Sequence, residues 1–120
     1  MAWQKITRSI GGITPLGKFT VTPATPQSIL ANTDLKTKQY TMQCRQIIVS
    51  VSGTVAGEVY LNYGSIAGFG NQTVLVIASG TEQSVPSGAL SKDGIIDASQ
   101  YYLDGSAGCL VAVSLADATD

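Results

Sequence analysis

In Cys109, Val111, Val113 and Leu115 large apolar side chains take every second position, with Leu110, Ala112 and Ser114 between them. Neighbouring side chains of a strand point to opposite faces, so this segment predicts a central or near-central strand with one large-residue face. No ten-residue window carries a helical apolar stripe. β-Branched runs separated by Gly, Pro, Ser, Asn and Asp recur instead, and predict strands over Lys18–Thr22, Gln27–Ala31, Gln39–Val51, Glu58–Tyr63, Thr73–Ser79, Gly94–Asp97, Tyr101–Leu103 and Gly108–Ala116. In the long run from Gln39, Tyr40, Met42 and Cys44 hold one parity and Ile47, Val49 and Val51 the other. A bulge near Arg45-Gln46 restores one buried face and is the favoured reading. Two separate strands, or one whose ends bury opposite faces, are the alternatives.

Pro23 and Pro26 break pairing after Thr22, Ser52-Gly53 and Ala56-Gly57 bracket a loop, and Pro86 with Ser87-Gly88 makes a further turn. The segment ending in Gly11-Gly12 reads as an arm, with Trp3 and Ile6 as its large apolar contacts. The expectation is therefore an all-β chain: an N-terminal arm over 1–16, then a small antiparallel β-sandwich or jelly roll of about eight strands over 17–120. Trp3 either inserts into a neighbouring subunit or clamps back onto its own sandwich, since aromatic anchors dominate interface energies.

Composition sharpens this picture. The chain has 120 residues, enough for one core. Apolar residues make up 44% and charged residues only 12%, too apolar for disorder and lightly charged for a solitary soluble monomer, so an assembly surface is expected. Up to residue 45 there are six basic residues against Asp34 alone, and afterwards Lys92 faces seven acids. Such polarity allows head-to-tail docking on copies of the chain or on an acidic lattice, unless folding mixes the two sets on one surface. The basic residues are single and not interleaved with aromatics, which argues against nucleic acid. No apolar run is long enough for a signal peptide or a membrane span, so the chain is expected to be made in the cytoplasm and soluble. Cys44 and Cys109 lie far apart in strand-like runs and predict buried free thiols.

Candidate chemistry is sparse. The absence of histidine removes the commonest general base, nucleophile partner and metal ligand, and neither a cofactor nor a metal is expected. Asp97 and Asp104 form the best local carboxylate pair for a hydrolase. Both also suit turns, with Asp104-Gly105 read as a tight hairpin turn, so no enzyme is expected. The loop "YGSIAGFGN" from Tyr63 to Asn71 is glycine-rich but has neither a helix nor a lysine after it for a phosphate. Its Phe69 predicts a partner contact. Tyr101 and Tyr102, adjacent on a strand, should divide between core and surface.

The order of "GKFTVTPATPQSI", "CRQIIVSVSGTVAGEVYLNYG", "VPSGAL" and "IIDASQYYLDGSAGCLVAVSL" resembles the small β-sandwich capsid decoration, or cement, proteins of tailed bacteriophages, from Gly17 onward. Tail accessory and receptor-contact domains share the same strand-and-turn rhythm. The resemblance implies a non-enzymatic virion protein on the capsid surface, often trimeric, that bridges subunits of the major capsid protein, with no catalytic residue to carry over. The alternative is a tail accessory or glycan-binding module. Contact residues expected on physical grounds are Trp3, Ile6 and Arg8 on the arm, Phe69 on the glycine loop, and whichever of Tyr101 and Tyr102 faces outward.

Overall fold

The computed structural model describes residues 12–31, 43–70, 72–85 and 96–118. They contain strands β1 (Ile13–Thr20), β2 (Gln27–Ser28), β3 (Gln43–Cys44), β4 (Gln46–Val51), β5 (Glu58–Tyr63), β6 (Thr73–Ala78), β7 (Glu82–Val85), β8 (Ile96–Asp97), β9 (Tyr101–Gly105) and β10 (Leu110–Ala116). A 3-10 turn, Ala98–Gln100, leads into β9. No helix among the described residues is long and apolar enough to cross a membrane.

The strands form two four-stranded sheets, ordered β1-β10-β4-β7 and β2-β9-β5-β6, and a two-stranded ribbon of β3 and β8. Every pairing is antiparallel. The pairs nest: β1 with β10, β2 with β9, β4 with β7 and β5 with β6. The chain is thus one long hairpin rolled up so that successive pairs alternate between two sheets, which is the winding of a jelly roll.

Burial follows the pleat. Val111, Val113 and Leu115 of β10 and Ile47, Val49 and Val51 of β4 face inward, and meet Val59, Leu61, Ile77, Tyr101 and Leu103 of the second sheet in one core. Each fully buried aliphatic side chain contributes roughly 1.5–3 kcal/mol. In β1 the buried residues are Leu16 and Phe19, a spacing that a regular strand cannot point to one face. The register shift between Pro15 and Gly17 solves this, with Gly17 at φ 100°. Such a bulge also blunts an edge strand against unwanted pairing.

Several expectations change in detail. β1 begins at Ile13 rather than at Lys18, so residues 13–16, expected in the arm, belong to a sheet. The phase change near Arg45 is not a bulge within one strand: Cys44 pairs with Ile96 in the ribbon, while Ile47 pairs with Leu115 in the first sheet. The polar run Glu82–Val85 forms an edge strand that was not expected, recruited by the β4 ladder. Asp104-Gly105 is not the hairpin turn but the end of β9; the chain reverses at Ser106–Gly108, closed by Ser106 O accepting from the Cys109 amide. Gly105 lies at φ 145°, and a Cβ there would stand 2.4 Å from the Glu58 carbonyl oxygen. Glycine at this position therefore serves close strand approach.

The phase of β10 can be tested with two of its own leucines. Leu115→Ala should cost about 2–5 kcal/mol in urea unfolding. Leu110→Ala, 44% exposed, should stay within about 0.5 kcal/mol.

Candidate functional site

Four of the exposed large apolar residues lie close together in sequence, on or beside the β5–β6 connection: Tyr63, Ile66, Phe69 and Val74. The remaining exposed ones among the described residues, Ile13 and Leu110, sit on the other sheet. Phe69 is 71% exposed and Ile66 65%. Apolar side chains clustered on one surface segment mark contact surfaces more often than singly scattered ones do.

The loop carrying them is held tightly. On the outer face of the second sheet, Asn62 lies opposite Tyr102 and Tyr60 opposite Asp104, so Asn62 and Asp104 are diagonal neighbours. The loop folds over them, leaving Asn62 fully buried and Asp104 2% exposed. The Gly68 amide donates to Asp104 Oδ2 at 2.5 Å, and Asn62 Nδ2 donates to the Ile66 carbonyl at 3.2 Å. The Thr73 hydroxyl donates to Asn62 Oδ1 at 2.7 Å and accepts from the Gly70 amide at 3.1 Å. Gln72 adds its side-chain oxygen to the Ile66 amide, and its carbonyl accepts from the Tyr63 amide at 2.7 Å. Phe69 leans on Tyr60, ring centres 5.8 Å apart. The result is a pre-ordered platform that shows Ile66 and Phe69 to solvent, which lowers the entropy lost when a partner binds.

The residues singled out from sequence are spread unevenly. Trp3, Ile6 and Arg8 lie outside the described residues. Phe69 is exposed on the loop. Of the tyrosine pair, Tyr102 faces outward and half-buried, whereas Tyr101 is in the core, edge-on to Tyr63 with ring centres 5.4 Å apart. Tyr101 is therefore not an outward contact residue of this sheet. Asn62, Thr73 and Ile66 were not anticipated. The only signal was Asn62, a polar residue next to the last position of the run Glu58–Tyr63, which by itself does not reveal a covering loop.

The carboxylate pair does not share a cleft. Asp97 caps the 3-10 turn, accepting from the Ser99 amide at 3.0 Å and the Ser99 hydroxyl at 2.6 Å. Its charge is felt by Cys44 and core-facing Tyr101, while Asp104 faces the opposite side of the second sheet. Burial pushes the Cys44 thiol up to about 11; a hydrogen bond with the Gln46 backbone opposes this and Asp97 adds to it. Burial likewise raises Tyr101, helped by Tyr63, Cys44 and Asp97. Both cysteines are buried free thiols. They sit beyond opposite ends of β10, roughly 20 Å apart along the strand, and cannot bridge.

No three His, Cys, Asp or Glu side chains gather among the described residues. An open cleft of about 270 Å³ on the first sheet's outer face is lined by Lys18, Ser50, Ser52, Leu110, Val111 and Ala112, without a carboxylate or thiol. Comparison with known protein families, with curated proteins and with solved structures finds no match.

Two measurements follow from this geometry. The folded Cys44 thiol holds its proton more tightly than the unfolded one, so its contribution to stability is complete below the unfolded pKa near 9 and fades as pH rises to about 11. Urea unfolding of the wild type should weaken more steeply over that window than that of Cys44→Ala. Asn62→Ala should leave the sandwich folded, cost about 1–3 kcal/mol, and speed hydrogen exchange at the Ile66 and Gly68 amides.

Proposed function

We propose that this chain is a structural virion protein that binds the outside of a phage capsid and stabilises it by bridging neighbouring shell subunits. The observation that carries the reading is the clamped loop, which holds Ile66 and Phe69 out of a lightly charged molecule on a platform of buried hydrogen bonds. A part that must seat in a fixed depression between shell subunits gains from such rigidity, because little ordering is left for the moment of contact. Its partner is the major capsid protein, with copies of the chain as neighbours, trimers being favoured. Phe69 and Tyr102 supply contacts from the sandwich, and Trp3, Ile6 and Arg8 from the N-terminal segment. Jelly rolls serve viral shells but also lectins and cupins, so the fold supports this reading without choosing it.

A tail accessory or glycan-binding module is the second reading, favoured by one feature. Tyr60, Phe69, Tyr102 and Asp104 share the outer side of one sheet, and aromatic rings beside a carboxylate are what a sugar stacks on. The burial of Asp104 weighs against it, because a sugar hydroxyl cannot reach that carboxylate while the loop lies over it.

Purified protein added to capsids that lack it should bind and raise the temperature at which they rupture. Phe69→Ala should weaken binding by about tenfold or more, in the range of interface anchors. Deleting residues 1–9 should leave the sandwich folded and abolish binding. A monomeric chain that neither binds nor protects capsids overturns the proposal, and a glycan array with hits dependent on Phe69 favours the second reading.

A further inference from the structure

Two buried side-chain oxygens have no hydrogen-bond partner among the described residues: Thr14 Oγ1 and Asp104 Oδ1. For a hydroxyl the cost is moderate. For a carboxylate beneath a loop, held by one amide at Oδ2, it is large, and a buried carboxylate normally has several donors or a cation beside it. The loop that covers Asp104, and its diagonal neighbour Asn62, carry several oxygens. The Ile66 carbonyl points inward to the Asn62 amide, and the Gly68 carbonyl lies 3.4 Å from Thr73 Oγ1, itself 2.7 Å from Asn62 Oδ1. Gly68 thus links the two groups, its amide bonded to Asp104 and its carbonyl facing Thr73 Oγ1.

We propose that Asp104, Asn62 and Thr73, with the Gly68 and Ile66 carbonyls, form a weak site for a hard divalent cation of the calcium class beneath the glycine loop. Oxygen ligation of this kind mixes carboxylate, amide and backbone carbonyl donors, and each carbonyl retains a second lone pair after its hydrogen bond. It needs neither histidine nor paired cysteines, the residue types on which the sequence expectation of no metal rested. One carboxylate sets the affinity low, with Kd on the order of 0.1–1 mM, the range of extracellular calcium modules. The cation neutralises Asp104 and fixes the Phe69 platform. This inference does not depend on the virion reading, since binding is measured on the isolated chain.

Calcium chloride is titrated into the full-length protein against an EDTA control. At a tenfold excess over Kd, calcium should raise the melting temperature by roughly 3–6 °C. Asp104→Asn should abolish that response, whereas Asp97→Asn, on the 3-10 turn, should keep it. Calcium should also slow hydrogen exchange at the Gly68 and Ile66 amides of the wild type, a readout that holds even if Asp104→Asn fails to fold. No calcium-dependent change in melting or in loop exchange overturns the site and leaves a buried water as the partner of Asp104. An equal response in Asp104→Asn overturns it as well, by placing the ion elsewhere.

Discussion

Strand β9 is covered on both sides, and this double burial organises much of the molecule around it. In a two-layer sandwich the outer face of each sheet normally meets water, and a carboxylate there keeps its hydration at no cost. Here Tyr101 and Leu103 fill the core from one face while Asp104 is shut under the β5–β6 loop on the other. Dehydrating Asp104 is unfavourable, and the charge-assisted bond from the Gly68 amide offsets part of that cost. The loop therefore inherits its position from the sheet, and the sheet acquires a third, local layer where it would otherwise be wet.

The rolled hairpin explains why so few residues can build both parts. Its outermost pair joins the first described strand to the last, and the Asp117 amide donates to the Gly12 carbonyl at 2.9 Å to close that end. Pairings between residues so distant in sequence are slow to form, since loop closure precedes the contacts that reward it. In exchange they place β10 and β4 at the centre of one sheet and β9 and β5 at the centre of the other. Irregularities are confined to the periphery: the bulge of β1 and the shift between Leu61 and Asn62 where β5 leaves β6. That second shift lies at the root of the loop and brings Thr73 opposite Asn62, the contact that the clamp uses.

What the chain discloses before folding follows from how local each signal is. The alternation from Cys109 to Leu115 and the run Glu58–Tyr63 are self-contained, and both appear in the structure as read. Glu82–Val85 is too polar to announce itself and becomes a strand because β4 offers an open ladder. Asp104-Gly105 carries the local signature of a hairpin turn, but register decides otherwise: Gly105 must lie flat against Glu58 and Val59. The break at Arg45 was visible as a change of phase, yet only the pairing of Cys44 with Ile96 distinguishes two strands from a bulge. Phe69 could be singled out as exposed from its glycine surroundings. The Asn62, Thr73 and Asp104 cluster could not, because it joins three strands and a loop whose register no single segment encodes.

The β5–β6 connection is longer than folding requires. Adjacent antiparallel strands can be closed by two residues, whereas here the chain spends residues 64–72 on the task, three of them glycine. Glycine loses the most conformational entropy when ordered, so a fixed glycine-rich loop is the least economical way to join two strands. That entropy is recovered from buried polar bonds to Asn62, Thr73 and Asp104, which a plain hairpin would not need and which leave two large apolar side chains in water. Neither the core nor the ladder gains from Ile66 and Phe69 in that position; what the loop secures is their exposure, with Phe69 keeping only its tilted ring contact with Tyr60.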